Sequence, residues 1–339
     1  MKRWLHDWLL RGWYGRRPIW LLTPLSVLFA ILSGLRRSLY RTGILLPGAL
    51  PVPVIVVGNI SVGGSGKTPF TIWLAQSLRE AGYHPGILTR GYGGKARTWP
   101  REVTADSTAQ DVGDEAVLLA RRTGVPVVAG PDRLAAAQLL IDRHPINVIV
   151  SDDGLQHYRL PRRVEIIMLD GQRGLGNRWC LPAGPLREPA RRLRRCDFTV
   201  LKGGDSRPAG VPDAALNMQL ALTGAVSLAD GRVRDIGDFA AEPVHAVAGI
   251  ADPTQFFAAL VAQGLEVDGR ALPDHAQPRP QDWRFGDAQA VLMTEKDAVK
   301  CKGMPLENHW YVTAEARFDP DVKQRLLAGI IARLSRHEA

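Results

Sequence analysis

Cysteine is scarce: Cys180, Cys196 and Cys301 are the only three in 339 residues. They lie far apart, are odd in number and show no metal-ligand spacing. This excludes a disulfide framework and a cysteine-based zinc site, and fits a reducing compartment. Internal repeats and low-complexity tracts are also missing. At 45% hydrophobic and 23% charged, the composition is that of a globular chain rather than a disordered one, and the length suffices for two domains with a substantial core. Acid is missing from one region. Residues 1–45 hold eight lysines and arginines (Lys2, Arg3, Arg11, Arg16, Arg17, Arg36, Arg37, Arg41) against the single Asp7, in a chain of net charge +9. Most of the excess charge therefore surrounds one apolar segment, which points to an anionic membrane surface and away from nucleic acid.

That apolar segment is residues 19–35, a run of 17 with arginine pairs on both sides. As a helix it would span roughly 26 Å, slightly less than a hydrocarbon core of about 30 Å. Thr23, Pro24, Ser26 and Ser33 weaken it, and Trp4, Trp8, Trp13, Tyr14 and Trp20 crowd its N-terminal side, where aromatics favour the headgroup level. The expectation is a helix lying in, or partly inserted into, the cytoplasmic leaflet; the other reading is a helix docked on the protein's own core. No small-residue cleavage site follows, so a cleaved signal peptide is not expected.

Residues 52–57 are apolar and β-branched, as in a buried strand. They break into a glycine-rich turn ending Gly66-Lys67-Thr68, and residues 71–80 have helical character. Strand, loop, helix is the order in which backbone N–H groups and a helix N-terminus converge on anionic oxygens. In such a loop Ser61, Val62, Gly63, Gly64, Ser65 and Gly66 cradle the phosphates, Lys67 reaches the β- and γ-phosphates, and the Thr68 hydroxyl ligates Mg²⁺. Ser61 stands where the usual pattern has glycine, a variant of the motif; the alternative is a glycine-rich turn with no ligand.

Further strands are expected at 86–90, 125–128, 146–153, 164–170 and 198–201, with helices at 116–122 and 133–143. This alternation predicts a parallel sheet covered on both faces. Asp114 and Glu115 precede the first of those helices, where acids also serve as a plain cap. Asp152 and Asp153 end a strand, as a Mg²⁺-holding pair or simply as a turn-forming Asp-Asp-Gly. Residues 181–189 are too rich in proline and glycine for regular structure; the arginines at 191–195 suit an anionic ligand, lipid headgroups or a solvated face. Past residue 203 the pattern changes to antiparallel strands at 216–222 and 225–236 with Asp230-Gly231 at a turn, then strands at 244–249 and 291–294. A last helix from Pro320 carries Val322, Leu326, Leu327, Ile330, Ile331 and Leu334 at helical spacing, expected to pack on this second α/β unit. The organisation read from these shifts is α/β throughout: a membrane-associated helical segment (1–48), a P-loop nucleotide-binding domain with a parallel sheet (49–202), and a smaller C-terminal α/β domain with a linking β-hairpin (203–339).

Seven motifs in order, Ser61 to Pro69, Arg90-Gly91-Tyr92, Gly113-Asp114-Glu115, Asp152-Asp153-Gly154-Leu155-Gln156-His157, Pro182 to Pro189, Asp274-His275 and Thr294-Glu295-Lys296-Asp297, resemble the tetraacyldisaccharide 4′-kinases, the lipid A 4′-kinases of Gram-negative bacteria. Two departures are Ser65, where the family often has threonine, and Ala276, where a second histidine is common, so only His275 can take the histidine role. The resemblance implies a monotopic enzyme on the cytoplasmic face of the inner membrane. It would move the γ-phosphate of ATP, with Mg²⁺, to the 4′-hydroxyl of a tetraacylated glucosamine disaccharide 1-phosphate in lipid A biosynthesis. It also implies two α/β domains joined by a two-stranded linker, with the site in the cleft, and no obligate protein partner is inferred. By the same resemblance Asp114 is the base and His275 orients it. Glu115, Asp152 and Asp153 are candidates for the metal's surroundings; Arg90, Gln156 and His157 are candidates for substrate contact. Residues 294–297 are similar to a guanine-reading Asn-Lys-x-Asp but with the wrong spacing, and read as a turn after a strand, near the nucleotide base. The competing reading is a membrane-associated P-loop NTPase whose hydrolysis drives assembly or transport, which would need no lipid acceptor.

Overall fold

A computed structural model describes residues 3–15, 18–204, 206–275, 279–286, 289–301, 304 and 306–335. Lys2, Arg16, Arg17 and Ala276 lie outside the described residues.

The chain starts with helices α1 (Arg3–Tyr14) and α2 (Thr23–Arg41). With the short turn before it, α2 forms a 22-residue helical stretch, Trp20–Arg41, long and apolar enough to cross a membrane. It buries only Ser26, whose hydroxyl donates to the Cys180 carbonyl, and leaves Leu25, Val27, Leu28, Ile31, Leu32 and Leu35 exposed.

The nucleotide-binding half follows: β1 (Val54–Gly58), α3 (Lys67–Glu80), β2 (Pro85–Thr89), β3 (Arg101–Val103), α4 (Ala109–Val112), α5 (Asp114–Thr123), β4 (Val127–Ala129), α6 (Arg133–Arg143), β5 (Val148–Ser151), β6 (Val164–Asp170) and β7 (Phe198–Lys202). Beyond it come β8 (Leu216–Ser227), β9 (Val233–Arg234), β10 (Val244–Ala248), α7 (Pro253–Val261), β11 (Val267–Ala271), α8 (Pro280–Trp283), β12 (Val291–Thr294), α9 (Glu295–Ala298), β13 (His309–Arg317) and α10 (Pro320–Ser335). The strands form one sheet in the order β11-β10-β12-β13-β8-β7-β6-β1-β5-β2-β4-β3, with β9 on β8. From β7 to β4 the pairing is parallel; only the edge strand β3 runs antiparallel there.

β1 is buried along its whole length, and its alternation feeds two cores. Ile55 and Val57 join Phe70, Leu74 and Leu78 of α3, whereas Val54 and Val56 join Leu140 of α6 and Leu155. The chain leaves β1 toward β2 on one side and later returns to β6 on the other, so β1 lies at the switch of direction. In open α/β sheets ligands bind at such a point, beyond the carboxyl ends of the strands.

β8 joins the two halves. Leu216 to Met218 pair in parallel with β7, and Gln219 to Ser227 pair antiparallel with β13, whose register slips between Thr313 and Ala314. The two antiparallel strands expected at 216–222 and 225–236 are thus one strand of 12 residues plus the short β9. The last helix departs from expectation. Leu326, Ile330 and Leu334 of α10 join the core of the nucleotide-binding half, and Arg333 pairs with Asp197 at 2.9 Å. The cause is topological: β13 ends beside β8 at the junction, so the chain leaves it next to β6 and β7.

Candidate active site

The loop after β1 is held open by backbone. Ile60 accepts from the Arg187 N–H at 2.6 Å and Val62 donates to the Pro185 carbonyl at 2.8 Å, so the Pro/Gly segment is a brace for the phosphate loop. Ser61 bridges to Leu186 in the same strip. Gly66, which opens α3, has φ of 75° and a Cβ there would meet Lys202 Cδ at 2.8 Å. Lys202 in turn pairs with Asp170 at 3.0 Å and Gln255 at 2.7 Å, and reaches the Gly64 carbonyl at 3.4 Å. Ser65 is buried with its hydroxyl unpartnered among the described residues.

Lys67 points at the end of β5: its Nζ lies 3.4 Å from Asp153 Oδ1, which Arg187 also faces at 3.6 Å. Burial opposes the charge on Asp153, but Lys67 and Arg187 hold its carboxyl below the ordinary range. Asp152 is fully buried; its Oδ1 accepts from Thr71 at 3.1 Å and its Oδ2 has no partner among the described residues. Burial first, then the Glu115 charge, pushes its carboxyl up, to about 7. Thr68 stands half-buried at the second position of α3.

A second cluster stands where α5 begins. Gly113 has φ of 91°, and a Cβ there would meet the Tyr92 carbonyl at 2.4 Å, so the Arg90-Gly91-Tyr92 turn runs directly under the start of the helix. Asp114 follows, 5% exposed. His275 Nδ1 lies 3.1 Å from its Oδ1 and 3.2 Å from its Oδ2, and Lys300 Nζ lies 3.5 Å from Oδ2. Burial resists the ionised form, but the His275 hydrogen bond and the charges of Lys296 and Lys300 hold Asp114 below the usual carboxylate range. Tyr92 packs edge-on against the imidazole at 4.6 Å. Glu115 Oε1 is engaged by Lys296 at 3.2 Å.

The candidate substrate residues sit on the other flank. Gln156 donates inward, to the Asn59 carbonyl and to Glu188, each at 3.1 Å. His157 is half-buried, and burial followed by the Arg133 and Arg90 charges lowers its pKa to about 4. Arg90 is exposed, with its guanidinium 5.9 Å from the Tyr92 ring.

Two charged residues with unusual surroundings were given no role from the sequence. Arg133 is 2% exposed at the first position of α6; it donates to the Gly130 carbonyl, while its Nε and Nη2 have no partner among the described residues. Burial lowers its pKa to about 10 despite the nearby Asp153 and Asp152. A cation at a helix N-terminus works against the macrodipole, and that misplacement is the one signal the sequence offered. The other is Lys296. The 294–297 segment brings Lys296 to Glu115 and His275. Among the described residues no three acidic, histidine or cysteine side chains gather closely enough to hold a metal by themselves.

A glycine-rich loop between a buried strand and a helix at a sheet's switch point, facing carboxylates and a buried Asp–His pair, defines a P-loop kinase. Residues 18–331 match the family described as tetraacyldisaccharide-1-P 4′-kinase (LpxK), and the chain belongs to that family. The tetraacyldisaccharide 4′-kinase of Nitrosococcus oceani is 50% identical over 305 residues, covering 90% of this chain and 88% of its own. That of Alkalilimnicola ehrlichii is 50% identical over 325 residues, covering 95% and 96%. Among solved structures, the "apo" form of LpxK from Aquifex aeolicus in complex with ATP superposes with a TM-score of 0.77 at 31% identity, over 92% of this chain and 98% of that one. The fold is therefore that of the family, and the protein is a lipid-directed kinase rather than an NTPase that drives assembly.

Proposed function

We propose that this chain grips ATP at residues 61–68 and passes its γ-phosphate to the 4′-hydroxyl of a tetraacylated glucosamine disaccharide 1-phosphate, with Asp114 as base. The observation that carries the reading is a phosphate loop at the carboxyl ends of the strands together with a buried carboxylate hydrogen-bonded to a histidine 161 positions away, the two linked by the field of Glu115 on Asp152. In the transfer, the sugar oxygen bonds to the γ-phosphorus while the bond from that phosphorus to the β–γ bridging oxygen breaks. Its electron pair leaves on ADP. The hydroxyl proton passes to Asp114 as the new bond forms, and later to water.

Lys67 stabilises charge building on the transferred group. The lone Oδ2 of Asp152, the neighbouring Asp153 and the Thr68 hydroxyl are hard oxygen donors that fit Mg²⁺, which keeps several waters and takes few protein ligands. The ion would supply charge neutralisation between the β- and γ-phosphates. Glu115, already engaged by Lys296, acts on this group through its field on Asp152. Arg90 and Arg133, with the neutral His157 between their fields, make a positively charged flank suited to an anionic sugar lipid, and Gln156 fixes the loop beside it.

The exposed apolar face of α2, flanked by Arg36, Arg37 and Arg41, supports attachment to the cytoplasmic face of the inner membrane, within reach of such a lipid. The test is incubation with γ-labelled ATP and the disaccharide 1-phosphate lipid. The label is expected at the 4′ oxygen, with little ADP formed when the lipid is omitted. Rapid hydrolysis that ignores the lipid would overturn the reading.

A further inference from the structure

Lys296 stands apart from the phosphate loop, in the Asp114–His275 cluster, and makes three polar contacts there. Its Nζ lies 3.2 Å from Glu115 Oε1, 3.3 Å from Asp274 Oδ1 and 3.2 Å from His275 Nε2. Burial works against its charge, but the carboxylates of Glu115, Asp114 and Asp274 raise its pKa, so it stands as an ammonium. An ammonium has three N–H donors and no acceptor. The three contacts use all of them, and the one to His275 can form only if Nε2 accepts. Asp274 Oδ1 stands 3.7 Å from that nitrogen, beyond hydrogen-bond reach, and is itself taken by Lys296. The ring proton therefore sits on Nδ1, the nitrogen that faces both oxygens of Asp114 at 3.1 and 3.2 Å.

The backbone adds a second observation. His275 has φ of 57°, a left-handed conformation that a non-glycine residue adopts only when its surroundings hold it. Tyr92 packs edge-on against one part of the ring. Lys296 is the only cation among the described residues with a contact at Nε2. Without it, Nε2 could take a proton, and the imidazolium so formed would hold Asp114 in an ion pair instead of leaving it free to accept.

We propose that Lys296 is a positioning residue for the transfer: by donating to His275 Nε2 it fixes the Nδ1–H tautomer and so keeps Asp114 oriented and free to accept the sugar proton. The proposal rests on the reading of Asp114 as base. A clasp that merely tied α5 to the loop after β11 would need only the ion pairs with Glu115 and Asp274.

The experiment compares Lys296→Met, Lys296→Gln, His275→Gln, Asp114→Asn and the Lys296→Met/His275→Gln double variant of the full chain, with γ-labelled ATP and the lipid acceptor in mixed micelles. Lys296→Met should lower kcat about 10–100-fold while KM for ATP stays within about twofold. The double variant should be no slower than His275→Gln alone, because both act through the same imidazole. Lys296→Gln keeps a donor without the charge and should recover much of the loss. Imidazole ¹⁵N spectra, with the His275 signal assigned by its absence in His275→Gln, should show Nδ1 protonated and Nε2 bare in the parent and in Lys296→Gln, and a proton gained at Nε2 in Lys296→Met.

A Lys296→Met variant within about threefold of parent kcat, multiplicative losses in the double variant, or an unchanged tautomer would each overturn the proposal. So would Lys296→Gln behaving like Lys296→Met, which is the signature of a clasp. If Lys296→Met does not fold, by thermal melting, the Lys296→Gln spectrum decides alone, since loss of the Nδ1–H signal there refutes the tautomer argument. A silent Asp114→Asn would remove the base reading itself, and is thus told apart from failure of the Lys296 argument.

Discussion

The two sides of the site are built in opposite ways. The phosphate side comes almost entirely from contiguous chain: Val54 to Gly58, the loop, and α3 beginning at Lys67. Its donors are largely backbone groups, and distant parts of the chain, among them Tyr14, Pro185 to Arg187 and Lys202, only brace it. The proton side is assembled from residues far apart. Asp114 comes from α5, His275 from the loop after β11, and Lys296 and Lys300 from the segment after β12. On the proposed roles, the difference means that phosphate binding depends on local backbone shape, whereas proton transfer depends on how β8 sets one half of the sheet against the other. Damage to one side should leave the other intact.

The sharpest break is Asp114→Asn. The amide keeps the size of the carboxylate but cannot take the proton, so kcat should fall by roughly 10²–10⁴. The dissociation constant for ATP, measured by equilibrium binding, should change by less than about threefold. Equal losses in both would mean that the two sides are not separable.

The reverse break is Gly66→Ala. At φ of 75° an alanine is strained, by about 1–2 kcal/mol on the usual left-handed penalty, and its Cβ would press on Lys202. ATP affinity should fall about 5- to 30-fold, while single-turnover chemistry at saturating ATP changes much less. A loss confined to the chemical step would show that the loop shapes the transition state rather than the bound nucleotide.

This asymmetry also explains what could be read from the sequence. β1, β2, β5 and β6 are apolar, β-branched runs because both faces of the sheet are covered, and such runs announce themselves. The glycine pattern before Lys67 did the same for the loop. β13 did not: residues 309–317 mix His309, Thr313, Glu315 and Arg317 with apolar positions, because the strand is only partly buried. β8 read as two strands because Thr223 and Gly224 interrupt its pattern at the point where β13 slips register. Helical spacing in α10 revealed which face is apolar but not which core receives it. Asp114 and His275 could be paired only through the family resemblance, since nothing in their spacing brings residues 161 apart together. Lys296 lay in one of the family motifs but drew no role from it, and Arg133 lay in none. A cation's role is set by what faces it, which no local pattern carries.

The finest test of the comparison concerns the positively charged flank, where His157 titrates without being part of either side. Its folded pKa, about 4, lies below the ordinary value of 6.5. Between those two pH values the unfolded chain carries a proton on His157 that the folded chain does not. Stability is linked to pH by that difference, so folding is disfavoured progressively as pH falls from about 6.5 toward 4. Below pH 4 both states are protonated and the effect no longer grows. His157→Gln removes the titrating group while keeping a polar side chain of similar reach. In urea unfolding followed by circular dichroism, the parent's midpoint should drop between pH 6.5 and 4.5 more steeply than the variant's, with the two curves parallel above pH 7. Burial is the first cause of the depressed pKa, with the charges of Arg133 and Arg90 behind it, and salt screens the charges far more than the burial. Raising ionic strength should therefore shrink the difference only in part. If salt abolished it, the flank would be an open electrostatic surface; persistence would mark it as a closed, partly dehydrated wall, rigid enough to select what approaches Asp114.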